Sequence, residues 1–416
     1  MFKVLGLAMK NLLRYKRRTL LTGMLIAVGV TAVIVFVGLS GSFKRAIVGQ
    51  ITDSVLSHFQ VHRKGYMASI DNLPLDRMMP AGAYEKLSGI LSGTDGVAAF
   101  SPRVKFGAML SNYAETTNVR LNGVDPAKER AVAPLLPSRI KDGAYKDELL
   151  KKGDVLLPEV LARGMGVKTG DTVVLVANNK DGSVNGMTFK VAGVVESLMG
   201  PGGRDGYLHI DDAAALLRMA PVEVSEVAVR TTDFEQLAAV AERLRGVLDP
   251  ITNKQDKPMF ELHTWDQLTP FYNVVRMIDI MTLGIKVILI AVVLISVLNV
   301  MMMSVYERVR EIGTLAAMGT RPGRIMALFV SEGVCLGLAG AIAGAAIGIG
   351  TLWVLNLTGV EVAFGRSNQV FALAPTIAPG EVLSACLIVL SVSVLASLQP
   401  AAKAARLEPV DALRHV

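Results

Sequence analysis

Side chains able to do covalent chemistry are few in this sequence. His58 and His62 stand four residues apart, a spacing that would set both imidazoles on one helical face, where zinc could bind. No further ligand is spaced nearby, so no metal site is expected and the pair reads as part of a polar stalk. The polar stretch 44–276 offers no Ser/His/Asp, Cys/His or carboxylate constellation for hydrolysis or acyl transfer. No Gly-x-x-x-x-Gly-Lys-Ser/Thr phosphate loop occurs in the sequence. Leu91-Ser92-Gly93-Thr94 imitates part of an ATPase signature but lacks its neighbours. Hence no catalytic residue and no cofactor are expected in this chain. Cys335 and Cys386 both fall in apolar blocks, which leaves no disulfide framework.

Charge set among apolar residues is more telling. Between two apolar runs lies Tyr306-Glu307-Arg308-Val309-Arg310-Glu311-Ile312-Gly313-Thr314-Leu315-Ala316-Ala317-Met318-Gly319. Glu307 and Glu311 are one helical turn apart, and Ile312, Leu315 and Ala316 form an apolar stripe on the same short helix. Gly319 and Pro322 end it. Such an element can dock into a partner's groove, or it can be a solvated loop helix whose arginines only fix topology. Lys286 and Glu332 lie inside apolar runs, where a charge is costly and turns toward a partner or cavity. They are expected at different depths and not as a pair, whereas Asp279 could reach Lys286. Snorkelling with structural pairing and a role in gating both remain open. A third run carries Gly333, Gly337, Gly340, Gly344, Gly348 and Gly350, several of them four apart, giving a small-residue face for close helix approach. That face could serve packing within one chain or between subunits.

These features need elements to hold them. At 51% hydrophobic residues and a mean hydropathy of +0.45, the 416-residue chain is too apolar for a soluble protein of its size. The excess sits in four blocks, at about 19–39, 278–305, 325–355 and 382–398, each long enough to span a bilayer. Lys3, Lys10, Arg14, Lys16, Arg17 and Arg18 precede the first block. Arg308, Arg310, Arg321 and Arg324 lie between the second and third, and Lys403, Arg406 and Arg414 follow the fourth. Arg366, balanced by Glu361, is alone in the last connection. Both termini are therefore expected in the cytoplasm and the large domain outside. The basic clusters are topogenic, and nothing resembles a nucleic-acid platform. Small residues at Gly38-Leu39-Ser40-Gly41-Ser42 allow a signal-peptide reading, but the apolar run is too long, so a retained anchor is expected.

The expected fold class is an α-helical membrane protein with four transmembrane helices and a large mixed α/β extracytoplasmic domain between helices 1 and 2. Its boundaries are an interfacial helix at 1–18 (Phe2, Leu5, Met9, Leu12, Leu13), spans at 19–42, 276–305, 325–355 and 381–400, the outer domain at 43–275, a cytoplasmic helix at 306–324, an outer loop at 356–380 and a cytoplasmic tail at 401–416. Within the domain, 172–177 and 187–195 read as a hairpin around Asp181-Gly182 and Asn185-Gly186. Residues 222–230 alternate like a strand, Thr232-x-x-Glu235 looks like a capping box opening a helix to about Leu248, and 259–262 is another short strand. A small α/β sandwich is expected.

The Glu307-Arg308-x-Arg310-Glu311-Ile312-Gly313-x-Leu315-x-Ala317-x-Gly319 string resembles the signature of the MacB/FtsX-like ABC permease family, which includes the lipoprotein-releasing permeases. Asn11-Leu12-Leu13-Arg14, Arg17-Arg18-Thr19-Leu20, the run Leu161-Ala162-Arg163-Gly164-Met165-Gly166-Val167-Lys168-Thr169-Gly170-Asp171, Val191-Ala192-Gly193-Val194-Val195, Thr264-Trp265 and the tail around Pro400-Ala401, Arg406-Leu407 and Pro409-Val410 are similar to other family pieces, in order. The resemblance implies a dimer with a second copy or paralogue, each subunit bound to an ABC-type ATPase that holds ATP and magnesium. It also implies ATPase-coupling residues at Glu307, Arg308, Arg310, Glu311, Ile312, Gly313, Leu315, Met318 and Gly319. A permease that releases or exports a lipoprotein or other amphiphile is expected, with a periplasmic carrier or adaptor as a further partner and the bacterial inner membrane as location. A drug or peptide exporter and a regulator of an extracytoplasmic hydrolase are the alternatives.

Overall fold

The computed structural model describes residues 14, 16–143, 148–198, 204–253, 256–359, 361–363, 370–372 and 374–407. Residues 1–13 and 15 of the expected interfacial helix, Arg366 and the end of the tail lie outside them, and 16–18 belong to the first long helix. The described residues fall into two units: helices drawn from Met1–Ala46, Val275–Ala363 and Val370–Val416, and a domain drawn from Ile47–Val274.

The first helix, α1, spans Lys16–Ile51 without a glycine–proline break. Its 36 residues rise about 54 Å, well beyond the roughly 30 Å of a hydrocarbon core, so it continues past the span expected at 19–42. A π-helical turn, Thr52–Leu56, follows, and Ser57 closes it with φ 62.

The domain carries β1 (Phe59–Arg63), β2 (Val97–Ser111), β3 (Thr116–Val124), β4 (Ile140–Gly143), β5 (Asp154–Pro158), β6 (Thr172–Asn178), β7 (Val184–Val195), β8 (Gly206–His209), β9 (Glu226–Thr231) and β10 (Phe260–Thr264). The pairings β2–β3, β3–β8, β8–β5, β5–β7, β7–β6 and β6–β2 return to their start, so these strands close into a ring. Phe106, Leu121, Val155, Val173, Phe189 and Leu208 fill its core. The long β2 leaves the ring at its first half to pair with β9, and β1 joins β9 to β10. Helices Ala81–Ser92 and Leu237–Leu248 cover this second layer through Leu87, Leu91, Val240 and Leu244. The expected α/β sandwich thus describes only this half of the domain.

Local chemistry corrects three readings. The hairpin turn closes earlier, from Asn179 to Ser183 with Gly182 at φ +81, because Val184, Asn185 and Gly186 pair with Asn178, Ala177 and Val176. The helix expected to open at Thr232 begins at Leu237 with no side-chain cap; the Asp233 carboxylate accepts the Glu235 N–H at 2.9 Å and makes a separate turn. His58 and His62 are not on a helix or a polar stalk. His62 is on β1, His58 just precedes it, and both are buried. His58 Nδ1 lies 2.6 Å from the Thr231 hydroxyl.

The remaining helices are α2 (Phe271–Glu307), α3 (Val309–Ala317), α4 (Pro322–Thr358) and α5 (Pro379–Ala405). Among the described residues four helices, α1, α2, α4 and α5, are long and apolar enough to cross a membrane. Between α4 and α5, β11 (Glu361–Ala363) and β12 (Val370–Ala372) pair antiparallel. The glycine stripe of α4 serves two neighbours within the chain. A Cβ at Gly333 or Gly337 would lie 2.7 Å from Ser397 or Ser393 of α5. One at Gly340, Gly344 or Gly348 would lie 2.5–2.9 Å from Ile26, Ala27 or Ile34 of α1. Gly350 points into open space.

Candidate functional site

The string Glu307–Gly319 is not one helix. Glu307 ends α2, and Arg308 turns the chain at φ −110, ψ 17 before α3 begins. At the other end, Gly319 sits at φ +81, its N–H bonds to the Ala316 carbonyl and the Thr320 N–H to the Leu315 carbonyl. This is a Schellman closure, which favours glycine because a Cβ is strained at that φ. Pro322 then opens α4 at its first turn, where a missing N–H costs nothing.

The nine residues of α3 divide sharply by face. Ile312 is 3% exposed and Gly313 is buried; Ile312 packs in the core with Ile325 and Phe329. Arg310, Glu311, Thr314 and Met318 are exposed, Met318 at 70%. Leu315 is half-buried. Beside them runs a groove of about 360 Å³ lined by Arg308, Glu311, Leu315, Met318, Leu328 and Phe329 among others. Arg14 reaches Glu311 at 3.5 Å on the exposed side, and the Lys403 ammonium donates to the Tyr306 hydroxyl.

Two expectations change here. Arg308 and Ile312 were placed on the face offered to a partner, and both are buried. The Arg308 guanidinium donates to Glu332 Oε1 at 2.8 Å, with the two side chains 5% and 1% exposed. Glu332 therefore has its counter-charge at the α3 end of the bundle, supplied by a residue that looks topogenic in sequence. Asp279 does not meet Lys286: both its oxygens accept from Lys44 at 2.9 Å. Lys286 lines a narrow cleft with Val33, Val37, Ile290, Glu381 and Ser384, and among the described residues no carboxylate lies within 4.0 Å of it.

The α/β domain hides a polar cluster that the sequence reading missed. Arg103 on β2 forks onto Glu129, with Nη2 to Oε1 at 2.7 Å, and gives Nη1 to Glu226 on β9 at 3.0 Å. Lys105 stands 2.8 Å and His62 3.7 Å from the other Glu226 oxygen, and Ser101 donates to Glu129 at 2.9 Å. Burial alone would raise the Glu226 carboxyl, but Lys105, His62 and Arg103 outweigh it and hold that group far below the usual carboxylate range. Register explains the meeting: His62 and Arg103 flank Glu226 directly across β9. Two-residue alternation on β2 was the available signal, since Ser101, Arg103 and Lys105 share one face. Among the described residues, no group of three or more His, Cys, Asp or Glu could hold a metal ion.

A model of the MacB-like periplasmic core domain matches residues 19–247, more than half of the chain, and one of the FtsX-like permease C-terminal region matches 283–409. The chain belongs to the MacB/FtsX-like family of ABC transporter permeases. The lipoprotein-releasing system transmembrane protein LolC of Neisseria meningitidis is 26% identical over 406 residues, covering 94% of this chain and 92% of that protein. The macrolide export ATP-binding/permease protein MacB 1/2 of Paracoccus denitrificans is 27% identical across 99% of this chain, which spans 58% of that longer relative. The extracellular domain of the ABC-type transporter YknZ from Gram-positive bacteria aligns with 45% of this chain at 19% identity and a TM-score of 0.33, too low to bear on the architecture. As a MacB/FtsX-like permease with four apolar helices, this is a transport protein of a bacterial inner membrane rather than an enzyme.

Proposed function

We propose that this permease couples ATP hydrolysis by a separate ABC-type ATPase, docked on α3, to motion of its α/β domain, and that its load is a lipid-modified protein or similar amphiphile. Both termini and α3 then face the cytoplasm and the domain faces outward, in keeping with the lysine and arginine distribution. ATP and magnesium are held by the ATPase. A second copy or paralogue completes the transporter, and α2, few of whose residues are buried along its most apolar stretch, offers it a face. The observation that carries the reading is the division of α3: one face is locked into the bundle, and the other presents Arg310, Glu311 and Met318 beside a 360 Å³ groove. Such a groove suits an apolar side chain of the ATPase, with the charges setting register. The lipoprotein reading draws on the end-to-end match to LolC; the match to MacB favours a drug or peptide load instead.

The test is copurification of the full chain from its native membranes with any ABC-type ATPase it holds, then reconstitution in liposomes. Loads are offered in turn: a fluorescent triacylated peptide, a macrolide, and a cell-wall hydrolase assay for the regulatory alternative. ATP-dependent release of the acylated peptide alone supports the proposal. Release of the macrolide alone, or activation of a hydrolase with no transport, defeats the choice of load. Absence of any copurifying ATPase defeats the coupling.

A further inference from the structure

We propose that Arg308 and Glu332 are positioning residues that brace α3 against α4, so that the two helices move as one lever. The inference rests on the reading that α3 receives the ATPase. A single residue joins α2 to α3, and a joint with only its φ and ψ to hold it would let α3 swing. The guanidinium removes that freedom by reaching Glu332, ten residues into α4 from Pro322 and so about 15 Å along it. The far end of α3 is held too, because the Gly319 closure leads straight into the first turn of α4. Ile312 fills the angle between them against Ile325 and Phe329. A load applied to the exposed face of α3 is thus carried to α4 at two points, one at its start and one in its interior. The pairing is also directional: an amide at position 332 keeps the shape and one acceptor but loses the charge that draws in Arg308.

The test compares wild type, Glu332→Gln, Glu332→Asp and the exchange Arg308→Glu/Glu332→Arg. Each carries a spin label at Thr358→Cys, on the exposed far end of α4. The full complex with its ATPase sits in lipid discs, and label-to-label distance between the two permease copies is measured with and without ATP plus vanadate. Wild type is expected to change distance. Glu332→Gln is expected to retain ATPase binding and hydrolysis to within about twofold but to lose the distance change, and the exchange or Glu332→Asp to recover it. An undiminished change in Glu332→Gln overturns the proposal. So does loss of ATPase binding by that variant, since the pair would then only maintain the fold. A wild type that binds no ATPase overturns the docking reading instead. The brace is then judged by amide exchange in the permease alone: about tenfold faster exchange over 309–317 in Glu332→Gln, with the α/β domain unchanged, supports it, and unchanged exchange refutes it.

Discussion

The helical bundle and the α/β domain both bury long stretches of Val, Leu and Ile, and both use close-set glycines and a buried ion pair, as at Gly123 in the domain and Arg308–Glu332 in the bundle, but they lean on the two devices in different measure. In the bundle the close contacts are made by absent side chains, at Gly333, Gly337, Gly340, Gly344 and Gly348. In the domain they are fixed by charges sealed inside, where Arg103 and Lys105 meet Glu129 and Glu226. The solvent explains the difference. Lipid tails are as apolar as leucine, so apolar burial does not choose one helix neighbour over another, and shape must. Water drives the domain's apolar residues together without direction, and a buried charge cluster penalises any register that leaves one member unpaired.

The comparison breaks first at Gly344. Its Cβ would sit 2.5 Å from the Ala27 carbonyl oxygen, a backbone atom that cannot yield, so Gly344→Leu should abolish accumulation of folded protein. Gly284→Leu on α2, with nothing within 4 Å, should shift stability by no more than about 0.5 kcal/mol. The yield of folded protein in detergent for both variants reads the contrast, and equal yields would end the shape argument.

In the domain the matching cut is Glu226→Ala. It strands Lys105, leaves Arg103 with Glu129 alone, and should cost about 3–5 kcal/mol, measured by pulse proteolysis of the full chain. A loss below 1 kcal/mol would mean that the cluster does not set register.

At α3, Met318→Asp should weaken ATPase binding by about 2 kcal/mol, roughly thirtyfold, with thermal stability intact. Ile312→Asp should instead lower stability, because Ile312 belongs to the bundle core. Binding and melting measurements on both variants would expose a reversed assignment.

The smallest effect is that of pH. Glu226 is held below its ordinary value by Lys105, His62 and Arg103 against burial, so its stabilising contribution is complete above the unfolded carboxylate range. It is lost as pH falls from there toward the lower folded value. Domain stability should therefore decline with acid below about pH 4.5, and Glu226→Gln should flatten that decline. An unchanged slope in the variant would assign the acid sensitivity elsewhere.

The membrane spans were legible because length and apolarity alone define them, and the β6–β7 hairpin because alternation and turn residues agree. Arg308 was misread because a positive charge beside a span satisfies the topology rule whether it faces water or folds inward onto Glu332. The ring was illegible because β3–β8 and β5–β7 join strands separated by long connections, and pairings of that kind leave no local pattern. Glu226 sat within a stretch that reads as a half-buried strand, and only its neighbours across the sheet decide whether a carboxylate can stay there.

Strand β1 has one further consequence, in the order of synthesis. It leaves the ribosome early but is flanked only by β9 and β10, whose residues come at 226–231 and 260–264. Until those arrive, both edges of the strand stand open, and of its later cover only Met79 and the helix Ala81–Ser92 are present over Phe59 and Val61. The ring can seal sooner, once β8 is made at 206–209. One half of the domain can thus be finished while the other still waits for the last residues before α2, and that interval is when a nascent chain is most exposed to wrong pairing.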